Sequence, residues 1–96
     1  MNELEILLVQ RYIDEYLFEF KQAWPKTAFI ERSQARWAAY EIIERLTTCP
    51  FNPPEEIVEM FMLEMMQYSY VAKNEETSNL FRIAGDTAHD ILCLFG

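Results

Sequence analysis

The sequence predicts an all-α protein, a compact antiparallel four-helix bundle, from three observations. Turn-forming residues are scarce: the 96 residues hold 2 glycines and 4 prolines, and the prolines fall at Pro25 and within Pro50–Pro54. That is punctuation for a few long helices, whereas a many-stranded β protein needs far more turn residues. Apolar residues recur at about 100° per residue, the helical period. The longest patterned segments are joined by short polar or proline-bearing stretches, which favours antiparallel neighbours. Three long helices with a short, broken second helix is the alternative architecture. With 51% apolar and 15% aromatic residues, the chain has too much hydrophobic content for disorder. A single domain over residues 1–96 is expected.

The helices are expected at about residues 3–24, 28–46, 53–72 and 76–94. Asn2 followed by Glu5 has capping spacing, and an apolar arc of Ile6, Val9, Ile13, Tyr16, Leu17, Phe20 and Trp24 runs to Pro25, whose predecessor is forced out of the helical region. Leu7 and Phe18 break the polar side of this first helix. Thr27 or Ser33 opens the second, with Ala28, Phe29, Ala35, Ala39, Tyr40, Ile42, Ile43 and Leu46 as its face. Arg32 and Arg36 project into that face. Either the helix begins at Ser33 and leaves Arg32 in the loop, or the two guanidinium groups require buried carboxylates, for which Asp14, Asp86 and Asp90 are the candidates.

Pro50 interrupts helix in the linker Thr47–Pro54. Asn52 reads as an N-cap, Pro53 as the first helical residue and Glu55 as the third, with Phe51 placed to staple onto the helix it precedes. That third helix is apolar nearly all round. Ile57, Phe61, Met65, Tyr68 and Ala72 share one face, and Leu63, Met66 and Tyr70 the other, with Glu59 as the charge among them. Such a helix has neighbours on nearly all sides. Asn74 or Thr77 caps the fourth helix, whose face is Leu80, Phe81, Ala84, Ala88, Ile91, Leu92 and Phe95. The small residues Ala84, Gly85 and Ala88 permit close helix approach, and Gly96 is a natural C-cap.

The formal charge is −8, with 16 acids and 8 bases. Residues 49–96 carry Lys73 and Arg82 as their only bases. Nucleic-acid affinity comes from Lys and Arg neutralising phosphates, so direct nucleic-acid binding is not expected, and an anionic membrane surface is disfavoured on the same ground. No apolar run has the length of a membrane span. Cys49 and Cys93 form no C-x-x-C pair, and the N-terminus lacks a signal-like pattern, so reduced thiols and a cytoplasmic location are expected.

Chemistry finds little support. Asp86-x-x-His89 is the one carboxylate–histidine pair at helical spacing, but metal-binding bundles need two such motifs with further glutamates turned inward. Both residues lie opposite their helix's apolar face. No nucleophile elbow, phosphate-cradling glycine loop or zincin motif occurs. No catalytic residue, cofactor or metal is assigned, and the chain is not expected to be an enzyme. Four methionines, Met60, Met62, Met65 and Met66, crowd one helix and form either an adaptable recognition surface or an irregular core filling. The reading that follows is a protein–protein interaction or regulatory module acting as a homodimer. Its interface would use Met60, Leu63, Met66 and Tyr70, with Trp37 as a second patch, and an unidentified protein partner is the other use of that surface. The alternative is an acidic nucleic-acid mimic that inhibits a nucleic-acid-processing enzyme, with Glu55, Glu56, Glu59, Glu64, Asp86 and Asp90 imitating phosphates.

Overall fold

A computed structural model describes residues 3–11, 14, 29–49 and 51–95. Four helices account for nearly all of them: α1 (Glu3–Arg11), α2 (Phe29–Thr48), α3 (Pro54–Val71) and α4 (Glu75–Phe95), with no strand among the described residues. They pack as a compact helical bundle in which α3 and α4 form the most extensive pair and α2 lies against both. The expected extension of the first helix to Trp24, with Phe18 on it, the caps at Asn2, Thr27 and Gly96, and the packing of Phe29 all fall outside the described residues or side chains.

The helix limits follow from local chemistry. In α2 the hydroxyls of Thr47 and Thr48 donate to the carbonyls of Ile43 and Glu44, both at 2.8 Å. The Cys49 amide donates to the Arg45 carbonyl. These bonds satisfy terminal carbonyls and carry the helix past Leu46. The expected start of α3 needs correction by one residue. Pro53 is the N-cap, with no side-chain cap bond, and Pro54 is the first helical residue. Asn52 instead sits in a turn, its amide donating to Cys49 O. Pro54 at the first helical position has its backbone dihedral preset, and Pro53 at the cap has no side-chain acceptor, so the start is made without a side-chain cap and the Glu56 amide donates to the Pro53 carbonyl instead. Phe51 is 99% exposed and does not staple. At α4 the cap is Asn74, whose Oδ1 accepts from the Thr77 amide at 2.7 Å.

The core unites Val9 of α1, Ala35, Ala38, Ala39, Ile42 and Leu46 of α2, Ile57, Val58, Phe61 and Met65 of α3, and Ala84, Ala88 and Ile91 of α4. The α2 stripe is rotated from the expected one. It runs along the alanines through Ala38, which leaves Tyr40 53% exposed. Alanines let the neighbouring helices approach closely, and a narrow contact excludes the flanking large residues. The same rotation settles the arginines. Arg32 lies within α2, not in a loop, and is half-buried, whereas Arg36 is exposed, as are Asp14, Asp86 and Asp90. The loop placement of Arg32 is therefore corrected, and of the buried network that was its alternative, Arg36, Asp14, Asp86 and Asp90 are exposed while Arg32 is half-buried.

The α3–α4 hairpin is antiparallel and tight. Near its turn the Ser69 hydroxyl donates to Ser78 O and the Ser78 hydroxyl to Ser69 O, each at 2.8 Å. Further along, Gly85 is buried against α3. A Cβ placed there would stand 3.4 Å from Met66 Cγ and 3.8 Å from Met62 O. Close approach at Gly85 is what the small-residue stretch predicts, and it draws the two helices together over their middle turns. Thr87, also buried, bonds back to Ile83 O at 2.8 Å and so needs no outside partner.

Candidate functional site: the outer face of α3

On α3 the residues separate by angle. Ile57, Val58, Phe61 and Met65 point inward and are at most 7% exposed. On the wide remaining arc of the helix, interspersed with the exposed Glu59 and Gln67, stand Met60, Leu63, Met66, Tyr70 and Val71. They are 64, 55, 55, 90 and 63% exposed. The four methionines thus divide: Met65 fills core, Met62 is half-buried, and Met60 and Met66 face solvent. All four interface candidates on this helix lie on one outer strip. Exposed apolar residues are ordinary one at a time, and here several gather on one side of a single helix.

The strip is also graded along its length. The exposed residues of its first turns are Glu55, Glu56 and Glu59, and apolar residues take over from Met60 onward. Beyond the helix end comes the exposed Lys73. Lys73 is followed at once by the exposed Glu75 and Glu76 of α4, so both ends of the face are acidic and the middle is largely apolar.

On the α2 side the surface is braced by a cluster not foreseen from spacing. Arg45 Nη1 donates to Glu64 Oε2 at 3.0 Å and Nη2 to Oε1 at 3.5 Å. The same guanidinium lies 4.8 Å from the centre of the Phe61 ring, and the Trp37 ring packs against Phe61 in a tilted arrangement with centroids 6.3 Å apart. Both charged side chains remain about one third exposed, so the ion pair contributes roughly 0.2–1 kcal/mol, with the cation–π contact adding on the order of 0.5–1 kcal/mol. The Arg45 hydrogen bond holds the Glu64 carboxyl below the usual carboxylate range, against the opposing pull of desolvation. Trp37, 41% exposed, is partly spent on this cluster. Glu64 is likewise removed from any free acidic array. No local rule pairs Arg45 with Glu64, since they meet only once α2 and α3 pack.

On the α4 side the strip borders a groove of about 720 Å³, walled by Met62, Met66, Ser69 and Tyr70 of α3 and by Ser78, Arg82, Gly85, Asp86 and His89 of α4. The absence of a side chain at Gly85 gives it its floor. Asp86 and His89 are thus brought to one groove with Arg82, a juxtaposition their spacing alone did not specify. Asp90, one residue on, has its carboxyl raised above the usual range, chiefly by desolvation, with His89 opposing and Asp86 reinforcing the shift. Among the described residues no group of three or more His, Cys, Asp or Glu side chains is placed to hold a metal ion. Cys49 is half-buried and Cys93 exposed, and neither is in a disulfide. No helix among the described residues is long and apolar enough to cross a membrane.

Together these features define an acidic all-α bundle whose described residues leave apolar side chains of α3 uncovered, with Leu4, Leu7 and Leu8 of α1 exposed as well. The chain matches no protein-family model, and neither a curated protein nor a solved structure shows significant similarity to it.

Proposed function

We propose that the protein is an interaction or regulatory module that works as a homodimer, with the outer strip of α3 as its contact surface. The observation that carries this reading is the joint exposure of Met60, Leu63, Met66 and Tyr70 on one helix face. Among the described residues the bundle covers the inner face of α3 and leaves Met60, Leu63, Met66 and Tyr70 exposed. A second copy buries that surface on both molecules at once, since a two-fold contact uses the same patch twice. Flexible methionines and a large aromatic are the residue types enriched where such contacts form. Trp37 and the Arg45–Glu64 pair stiffen one border of the strip, which reduces the ordering cost of association.

The test is size-exclusion chromatography with light scattering. Wild type is expected to run as a dimer at micromolar concentration. Leu63→Glu with Met66→Glu is expected to give a monomer that keeps the helical circular dichroism of wild type, because both positions are exposed in the bundle. A wild type that is already monomeric at high micromolar concentration removes the reading.

A further inference from the structure

We draw no further inference here: the strongest candidate, the exposed apolar side of α3 at Met60, Leu63, Met66 and Tyr70, is flanked by exposed glutamates at both ends, and nothing in the structure shows what covers it.

Discussion

Helices α3 and α4 have similar lengths, pack against each other along most of those lengths, and end differently at the surface of the bundle. Inward they match: Ile57, Val58, Phe61 and Met65 on one, Ala84, Ala88 and Ile91 on the other. Outward they diverge. The far side of α4 is Asn79, Arg82, Asp86, His89 and Asp90, all exposed and polar, the ordinary finish of an amphipathic helix. The far side of α3, past its first turns, is Met60, Leu63, Met66 and Tyr70. Burial against the same core explains the inner faces of both helices and says nothing about the outer face of α3. The difference teaches that the residues forming the core and the apolar residues left exposed occupy separate arcs of one helix, so each set can be perturbed without the other.

The largest effect is expected where α3 is core. Phe61 is fully buried and touches both Trp37 and the Arg45 guanidinium. Phe61→Ala should cost about 3–5 kcal/mol, from lost burial and the cavity left behind, read as the fall in unfolding free energy in urea. Ile91→Ala, the counterpart on α4, should cost about 2–5 kcal/mol by the same mechanism. If Leu63→Ala cost as much in a concentration regime where the protein is monomeric, the division into inner and outer arcs would be wrong. It is expected to stay within about 0.5 kcal/mol.

Two acids sharpen the comparison through pH. Glu64 on α3 is held below the usual carboxylate range by Arg45. Its ionised form is favoured by folding, so its contribution is complete above the ordinary carboxylate range and is lost as pH falls through its depressed folded value. Glu64→Gln should therefore lower stability at neutral pH by about 0.2–1 kcal/mol, and the deficit should vanish in acid. Asp90 on α4 has the opposite sign. Its carboxyl is raised, first by desolvation, so ionisation opposes folding and the penalty disappears as pH falls. Asp90→Asn should raise the melting temperature slightly at neutral pH and leave it unchanged in acid. Thermal melts of the two variants across pH 3–7, in roughly the window where carboxylates titrate, should diverge in opposite directions from wild type.

Gly85→Ala is expected to have the smallest effect on stability, because two terms oppose. Alanine favours helix over glycine by about 0.8–1 kcal/mol, while the new Cβ meets Met66 Cγ at 3.4 Å, so that side chain must shift. The variant should change the urea unfolding free energy by less than about 1 kcal/mol.

Much of this molecule was legible in local pattern. Scarcity of glycine and proline, a helical period in every long segment, the breaks near Pro50 and Lys73, the cap at Asn74 and the small residues facing α3 at Ala84–Ala88 all act over a few neighbouring residues, where chain order alone determines who meets whom. The excess of apolar residues around α3 belongs to the same class, and it marked the outer strip before any packing was known. The start of α3 was misplaced because Asn52 and the paired prolines offered two registers one residue apart; Asn52 is held in the preceding turn by its bond to Cys49 O, and the first helical bond runs from the Ile57 amide to Pro53 O.

What only the tertiary structure decided concerns rotation about helix axes and encounters between helices. Which stripe of α2 turns inward depended on how closely its alanines let α1, α3 and α4 approach, a choice its near-uniform periphery did not encode. That rotation placed Arg36 in water and Tyr40 half in solvent. The Arg45–Glu64–Phe61 cluster and the groove over Gly85 each join residues from two helices, and their distances exist only once those helices have docked. Helical periodicity determines the angles of side chains about an axis, while the direction in which that axis faces is set by the packing of every neighbour together.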